Sequence, residues 1–249
     1  MKILISNDDG ILAPGITVLE EVCREIGDVV VVAPDRQQSA ASHALTMGRP
    51  LRPVQLAEDR YQVDGTPTDC VLLALEIILD QKPDFVFSGV NHGSNMGEDV
   101  LYSGTVAAAM EGLSMRIPSV AFSYAGFDGE HMATQKEWLT RLITDIVHVE
   151  SFPVETLLNV NLPPIPGNDI RGIEVTTLGR RVFAESLMRM NDPWGREAYW
   201  IGGGKSSWSG REDSDFRAVA EGLISVTPLH VDLTNYKLLE SVRSWQLGK

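Results

Sequence analysis

The chain has 249 residues, of which 43% are hydrophobic and 22% charged, and its formal net charge is −13. This length is sufficient for one large hydrophobic core. The excess of acidic residues argues against non-specific nucleic-acid binding, because such binding needs a face of Lys and Arg to neutralise phosphates. No run approaches the ~18 apolar residues of a membrane span, and no signal peptide is predicted. We therefore expect a cytoplasmic protein without nucleic-acid or membrane partners, in which Cys23 and Cys70 are reduced core residues.

The N-terminal part of the chain begins with a strand, a helix and a second strand. Buried strands are predicted for the apolar runs KILIS and DVVVVAP. Between them, the apolar residues of PGITVLEEVCREIG recur at helical spacing. This order predicts a right-handed βαβ unit and a parallel sheet.

The same alternation continues along the chain. Helices are predicted for TPTDCVLLALEIIL, capped by Thr66 or Thr68, for SGTVAAAMEGLSM and for EWLTRLITDIVHV. Strands are predicted for RYQV, PDFVFSGV and PSVAFS. Residues 1–125 are therefore expected to form a Rossmann-like α/β core with a doubly wound, mostly parallel sheet.

From about residue 150 the pattern changes. Strands are predicted for LLNVNLPPIP, IRGIEVTTLG and EGLISVTPLHVDLT, and a closing helix for NYKLLESVRSWQL. The stretch from Arg180 to Arg217 has no clear helical period, and EAYWIGGG is expected to be one arm of a protruding hairpin. Because no linker separates the two parts, we expect residues 1–249 to form a single domain with a smaller C-terminal part over 150–249.

Three polar loops follow predicted strands: SNDDG, APDRQQSAASH and SGVNHGSNMGEDVLYSGT. In open parallel sheets, ligands bind at the carboxyl ends of the strands, so we expect these loops to converge on one site. The third loop is expected to have no secondary structure of its own. Loops longer than about 12–15 residues without secondary structure are uncommon in compact domains and are usually functional.

Asp8 and Asp9 are adjacent carboxylates at the end of the first strand. At roughly 4 Å, two like charges repel by about 1 kcal/mol in water and by several times more at a partly buried site. Mg²⁺ or Mn²⁺ would bind both carboxylates through oxygen and cancel the repulsion. The alternative is a solvated acidic turn, since Asp-Asp-Gly also favours turns. The position after a buried strand favours the metal site.

The third loop combines possible metal and phosphate ligands. Asn91 and Asn95 offer amide oxygens to a metal or N–H groups to a phosphate. Ser103, Gly104 and Thr105 begin a predicted helix, where free N–H groups and the helix dipole favour an anion. The alternative is an ordinary serine cap after a surface loop. Together with the acidic pair, the loop predicts metal-assisted phosphoryl hydrolysis, in which the metal polarises a phosphoryl oxygen and lowers the pKa of a water.

The second loop is less informative. Ser39 is by default a solvated loop serine, and the loop lacks the GxSxG pattern of α/β-hydrolases. His43, His92 and His230 are each open to a role as acid, base or surface residue.

The motifs as a set resemble the SurE family of survival-protein phosphatases, which act as 5′/3′-nucleotidases. The matching stretches are NDDG, APDRQQSA, GTPTDCV, SGVNHGSNMGEDVLYSGTVAAAMEG and SVTPLHVDLT, and the resemblance runs from residue 1 to about residue 235. It implies a Rossmann-like core with a smaller C-terminal part, whose extended hairpin helps to build a homodimer or homotetramer. Residues 206–217 resemble the family least.

The resemblance also implies the site. One divalent metal ion per subunit, Mg²⁺ or Mn²⁺, would be bound by Asp8, Asp9, Ser39 and Asn91, with Asp8 and Asp9 as catalytic residues. Asn95, Ser103, Gly104 and Thr105 would bind the substrate phosphate.

The expected function is hydrolysis of nucleoside 5′-monophosphates by metal-activated water, with 3′-monophosphates and short-chain polyphosphate as further expected substrates. Asp8, Asp9 or His43 would accept the proton. A haloacid-dehalogenase-like phosphatase is disfavoured, because it needs Asp-x-Asp rather than adjacent aspartates. The non-catalytic alternatives are a Mg²⁺-dependent nucleotide-binding regulator and a receiver-like module. A receiver needs an aspartate at the end of the central strand, where this chain has Ser88, Gly89 and Val90.

Overall fold

The computed structural model of the protein describes residues 1–126, 129–183, 187–201 and 206–248. The strands are β1 (Lys2–Ser6), β2 (Asp28–Pro34), β3 (Pro53–Ala57), β4 (Arg60–Val63), β5 (Phe85–His92), β6 (Ser119–Tyr124), β7 (Leu157–Leu162), β8 (Ile173–Val175), β9 (Arg180–Phe183), β10 (Leu187–Asn191), β11 (Glu197–Ile201), β12 (Ser206–Ser209) and β13 (Ile224–Leu229). The α-helices are α1 (Pro14–Arg24), α2 (Pro67–Leu73), α3 (Gly104–Ser114), α4 (Lys136–Val147), α5 (Asp215–Ala220) and α6 (Leu239–Ser244).

A sheet of nine strands, counted over the described residues, forms the centre of the protein in the order β3-β4-β2-β1-β5-β6-β7-β13-β8. The six strands from β4 to β7 in this order are parallel to their neighbours. At the two sides of this parallel block, β3 pairs antiparallel with β4 and β13 pairs antiparallel with β7. The predicted mostly parallel α/β sheet is therefore confirmed. Strands β7, β8 and β13 extend this sheet with residues from 150–249.

Helices cover both faces of the sheet because successive strand residues point to opposite faces. Ile3 and Ile5 of β1 are buried in one apolar cluster with residues of α1 and α4, whereas Leu4 is buried in a second cluster with residues of α2 and α3. Burial of such side chains stabilises the fold by about 1.5–3 kcal/mol each. The continuous apolar runs of β1 and β2 follow from this double coverage.

The second helix is shorter than its sequence predicts. Thr66 is its N-cap: the Thr66 hydroxyl accepts from Asp69 N at 3.1 Å, and Asp69 Oδ2 accepts from Thr66 N at 2.8 Å. This reciprocal capping selects Thr66 over Thr68. The α-helix then gives way at Ala74–Ile78 to a π-helical segment. The apolar spacing of the sequence predicts a continuous helix here, because a local change from α-helical to π-helical winding does not visibly alter that spacing.

The C-terminal part carries the predicted hairpin. Strand β10 pairs antiparallel with β11, and β9 pairs antiparallel with β12. Trp194, Tyr199, Trp200 and Ile201 on this hairpin are exposed. The glycines predicted to end its second arm, Gly202–Gly204, lie outside the described residues.

Several other boundaries differ from the prediction. The third polar loop is not without structure, because β5 extends to His92 and a 3-10 helix spans Gly97–Leu101. The edge strand β3 was not predicted; its five residues are all exposed and lack a clear apolar pattern. The closing helix consists of a 3-10 turn at Tyr236–Leu238 and the short α6. No helix within the described ranges has the length and apolar character needed to cross a membrane.

Candidate active site

The turn after β1 holds the two aspartates at the carboxyl edge of the sheet. Asn7 closes this turn: its Nδ2 donates to Gly10 O at 2.9 Å, and its Oδ1 accepts from Gly10 N at 3.2 Å. Gly10 has a φ of 98°, which side chains with a Cβ rarely adopt. Asp8 is buried and Asp9 is half-buried. The sequence SNDDG therefore turns the chain tightly and presents two carboxylates at the strand end.

Asp8 lies against the start of α3. Thr105 Oγ1 donates a hydrogen bond to Asp8 Oδ1. Ser103 caps the helix, since its Oγ accepts from Val106 N at 3.0 Å. A Cβ on Gly104 would lie 2.7 Å from Asp8 Cβ and 3.0 Å from Asp8 Oδ2. Glycine is therefore needed at position 104 for the acidic pair to approach the helix N-terminus this closely.

Asp9 is held by His92, which lies at the end of β5. Asp9 Oδ2 accepts from His92 N at 2.9 Å and lies 3.2 Å from His92 Nδ1. The neighbouring Asn91 donates from Nδ2 to Gly93 O at 2.8 Å. Its Oδ1 accepts no hydrogen bond from the part of the chain that the structure describes. The sequence left the role of His92 open, because the contact joins residues 83 positions apart.

The loop that carries Ser39 folds back over the end of β1. Gln38 N donates to Asp8 O at 2.7 Å, and Gln37 Nε2 donates to Ser39 Oγ at 2.8 Å. Further along, Ser42 Oγ donates to Leu101 O at 2.6 Å. The structure therefore brings Ser39 to the edge that also holds Asp8. The side chain of Ser39 remains exposed.

Asn95 is fixed by side chains that sequence reasoning missed. Its Nδ2 donates to Ser123 Oγ at 2.8 Å, and its backbone N donates to Asn161 Oδ1 at 2.8 Å. Its backbone O accepts from Asn159 Nδ2 at 2.8 Å and from Asn161 Nδ2 at 3.0 Å. The signal was present in LLNVNL, where two asparagines alternate with apolar residues and so share one face of a buried strand.

His43 is held farther along α3. Its Nε2 lies 2.8 Å from Glu111 Oε2. Glu111 follows Gly104 by seven residues, so the two are roughly 10 Å apart along the helix axis. A groove of about 630 Å³ is lined in part by His43, Ser103, Ala107, Met110 and Leu229. His230 also lines this groove.

Asp8 has a raised pKa and no basic side chain beside it within the described residues. Burial raises the pKa of Asp8 to about 6, and repulsion from Asp9 adds to this rise, whereas the Thr105 hydrogen bond opposes it. No Lys or Arg of the described ranges forms a salt bridge with Asp8. A positive charge beside this carboxyl would favour its ionised form and lower its pKa.

The donor set fits a hard divalent cation. Asp8, Asp9, Ser39 and Asn91 would supply only oxygen ligands, as Mg²⁺ and Mn²⁺ prefer. No group of three or more His, Cys, Asp or Glu side chains suited to a metal was found over the described residues.

Comparisons with known proteins identify relatives of this chain in both sequence and fold. The family model described as survival protein SurE matches residues 3–185. The 5′-nucleotidase SurE of Gemmatimonas aurantiaca is 59% identical over 98% of both chains, and that of Geobacter metallireducens is 48% identical over 100% of this chain and 99% of its own. The crystal structure of the SurE protein from Aquifex aeolicus superposes with a TM-score of 0.87 at 42% identity, covering 98% of this chain and 99% of its own.

These names agree with the prediction of an enzyme of the 5′-nucleotidase class. They also confirm the resemblance drawn from the sequence motifs. With a matching family model over more than half its length and relatives that align along nearly all of it, this chain belongs to the SurE family.

Proposed function

We propose that the protein is a 5′-nucleotidase that hydrolyses the phosphomonoester of nucleoside 5′-monophosphates with one divalent metal ion per subunit. One observation carries the proposal: Thr105 Oγ1 donates to Asp8 Oδ1, which joins a pair of carboxylates to the N-terminus of α3. A cation at the carboxylates and a phosphate at the helix start would then be neighbours. Its relatives in Gemmatimonas aurantiaca and Geobacter metallireducens are named 5′-nucleotidases, which supports this substrate class.

Asp8, Asp9, Ser39 and Asn91 would hold the metal ion, which supplies Lewis-acid stabilisation of charge on the phosphoryl group when it is bound. Thr105 orients Asp8, and His92 orients Asp9 through two contacts with one oxygen. Each carboxylate therefore has a partner that fixes its direction before any ligand binds.

The start of α3 would hold the phosphate. Its first N–H groups have no partner within the helix and point along the positive end of the helix dipole. Asn95 would add a side-chain amide, since its Nδ2 carries a second proton besides the one donated to Ser123. The groove of about 630 Å³ that Ser103 helps to line has apolar walls and a volume in the usual range for small ligands. It would receive the nucleoside.

Water is the proposed nucleophile, in preference to Asp8 or Asp9. Both carboxylates are already engaged by neighbouring donors. The adjacent spacing also leaves no second aspartate set apart as a proton donor. The proton from water would pass to Asp8 or Asp9 in preference to His43, because Glu111 holds His43 well along α3.

We further propose the finer properties that the family resemblance implies. The substrates would include nucleoside 3′-monophosphates and short-chain polyphosphate, and the metal would be Mg²⁺ or Mn²⁺. Residues 1–249 would form one domain in the cytoplasm. The exposed Trp194, Tyr199 and Trp200 of the hairpin fit a homodimer or homotetramer, since large aromatic side chains are common at interfaces.

The test is release of phosphate from AMP by the purified protein with Mn²⁺ or Mg²⁺, before and after EDTA. We expect release with metal, loss of release in EDTA and recovery when metal is restored. Binding of AMP without release of phosphate would instead favour a non-catalytic nucleotide-binding regulator. A panel of 5′- and 3′-monophosphates and tripolyphosphate, run with each metal, then ranks the substrates.

A further inference from the structure

We infer that Asn161 and Asn159 of β7 are positioning residues that set the place of Asn95 for the substrate phosphate. The inference rests on the proposed function, because Asn95 is the residue proposed to contact that phosphate. Neither asparagine belongs to the predicted metal or phosphate ligands.

The contact between Asn161 and Asn95 is a two-point clamp. Asn161 Oδ1 accepts from Asn95 N at 2.8 Å, and Asn161 Nδ2 donates to Asn95 O at 3.0 Å. One amide side chain thus satisfies both backbone groups of one residue. Because two bonds of opposite sense are made, a rotation or shift of Asn95 would break at least one of them.

Asn159 adds a third bond to the same residue, from its Nδ2 to Asn95 O at 2.8 Å. Both β7 asparagines are fully buried. Asn159 Oδ1 is buried and has no hydrogen-bond partner over the residues described. A buried polar atom without a partner destabilises the fold, so an asparagine in the middle of a buried strand is unfavourable unless its other hydrogen bonds serve the structure or the site. Asn159 and Asn161 both bind the backbone of Asn95, and this shared contact explains the two buried asparagines where packing does not.

The side chain of Asn95 is aimed by a different strand. Its Nδ2 donates to Ser123 Oγ at 2.8 Å, and Ser123 of β6 lies directly across from Asn91 in the β5–β6 pairing. Asn95, which is proposed to bind the phosphate, is therefore hydrogen-bonded to the residue that pairs with Asn91, a proposed metal ligand. This places Asn95 at the edge where metal and phosphate would meet.

The segment around Asn95 is also anchored on both sides. Gly93 N donates to Tyr124 O at 2.9 Å, and Gly97 N donates to the buried Asp215 Oδ2 at 2.8 Å. Between these anchors, the β7 asparagines are the contacts that hold the backbone of Asn95 itself. Removing them would free the middle of the segment while its ends stay in place.

The test is a double-mutant cycle in kcat/KM for AMP with Asn161→Leu and Asn95→Ala. Leucine has a similar size to asparagine but forms neither bond. Because small displacements in an active site can cost about 100-fold in rate, we expect Asn161→Leu alone to lower kcat/KM by roughly tenfold to a hundredfold. In the Asn95→Ala background, Asn161→Leu should change kcat/KM by less than about twofold, since its effect passes through Asn95.

Two further variants distinguish a positioning effect on catalysis from a loss of stability. Asn159→Ala removes only one bond to Asn95 and should show a smaller decrease of the same kind. Val160→Ala shortens a buried side chain between the two asparagines in sequence, on the opposite face of β7. It should lower the melting temperature while leaving kcat/KM unchanged, which separates stability from positioning.

A binding measurement separates this inference from the proposed function. The affinity for inorganic phosphate with Mn²⁺ present should fall in Asn161→Leu and Asn159→Ala, whereas the affinity for Mn²⁺ alone should not change. If the wild type binds phosphate but hydrolyses no AMP, the proposed function fails and the phosphate affinities still decide the inference. Additive effects in the cycle, or an unchanged phosphate affinity in Asn161→Leu, would overturn it. If the wild type releases phosphate from AMP but binds inorganic phosphate too weakly to measure, the proposed function stands and the double-mutant cycle in kcat/KM alone decides the inference.

Discussion

Thr105 Oγ1 donates a hydrogen bond to Asp8 Oδ1 across 97 residues of sequence. The family resemblance implies that Thr105 binds the substrate phosphate, and that contact remains a prediction. In this structure its hydroxyl instead joins the acidic pair to the start of α3. The bond also opposes the rise in the pKa of Asp8, since a donor favours the ionised carboxyl.

Thr105→Val removes the hydroxyl and keeps the shape of the side chain. We expect kcat/KM for AMP to fall by about one to two decades, because a hydrogen bond to a charged group is worth about 1.5–3 kcal/mol. The pKa of Asp8 should rise further. Between pH 8 and pH 6, the metal concentration that the variant needs should therefore increase more than that of the wild type. Thr105→Ser keeps the donor and should retain most activity. Equal rates for the valine variant and the wild type would contradict this role.

Gly104→Ala should displace the carboxylate of Asp8. An added Cβ would lie 2.7 Å from Asp8 Cβ, closer than such contacts normally come, so one of the two must shift. We expect weaker Mn²⁺ binding in titration calorimetry and lower kcat/KM, with the helix itself favoured by alanine. Gly48→Ala is the matched control, since no atom lies within 4 Å of a Cβ there. Unaltered Mn²⁺ affinity in Gly104→Ala would argue against the close approach of Asp8 to α3.

Asp8→Asn and Asp9→Asn should each abolish turnover at ordinary metal concentrations while leaving the fold intact. Each removes one charge that the proposed cation needs. Asp28→Asn is the control, because Asp28 is exposed at the amino end of β2, away from the site. Phosphate release is the measurement, with circular dichroism as the check on folding. Full activity in either of the first two variants would remove that aspartate from the metal site.

The metal-free protein should lose stability as the pH rises from 3.8 to about 6, the interval between the ordinary pKa of Asp8 and its pKa in the fold. A carboxyl with a raised pKa binds its proton more tightly when folded, so protonation stabilises the native state and deprotonation destabilises it. The cost at neutral pH is about 3 kcal/mol for a shift of about two units.

Asp8→Asn removes this titration and should be the more stable protein at pH 7 in EDTA. Melting curves of both proteins in EDTA across the interval measure the difference. Parallel pH profiles for the two would show that Asp8 is not the group responsible. Saturating Mn²⁺ should abolish the advantage of the variant, because the wild-type carboxylate then has its counter-charge.

Direct attack by water predicts where oxygen from labelled solvent goes. In a single turnover in ¹⁸O-labelled water, we expect the label in the released phosphate alone. Attack by Asp8 or Asp9 would form an aspartyl-phosphate, and its hydrolysis would leave ¹⁸O in the carboxylate. Mass spectrometry of the peptide that contains both aspartates distinguishes the two routes. Label in that peptide would make the covalent route correct.

The main elements of the fold are predictable because their apolar spacing is strong. The runs KILIS and DVVVVAP are buried on both faces, and the helical spacing after Pro14 matches α1. By contrast, the sequence pattern did not indicate β3, whose five residues are exposed, or the π-helical end of the second helix. Apolar spacing does not predict an element whose side chains are exposed or whose helical winding is irregular.

The predicted site residues are recognisable because they follow strands that end at one edge, but their partners are not. His92 contacts Asp9 from 83 residues away, and Asn161 contacts Asn95 from 66 residues away. Such pairings depend on which strands become neighbours and in what register. A single sequence shows a polar residue in a buried strand without showing what it faces.

The position of β1 in the sheet has a consequence for synthesis on the ribosome. Strand β1 is flanked by β2, which ends at Pro34, and by β5, which begins only at Phe85. At about 5–20 residues per second, several seconds pass between synthesis of β2 and of β5, during which one edge of β1 has unpaired backbone N–H and C=O groups. Because Thr105 must also emerge before it can reach Asp8, we expect nascent chains that end before α3 to be aggregation-prone and to lack the complete site.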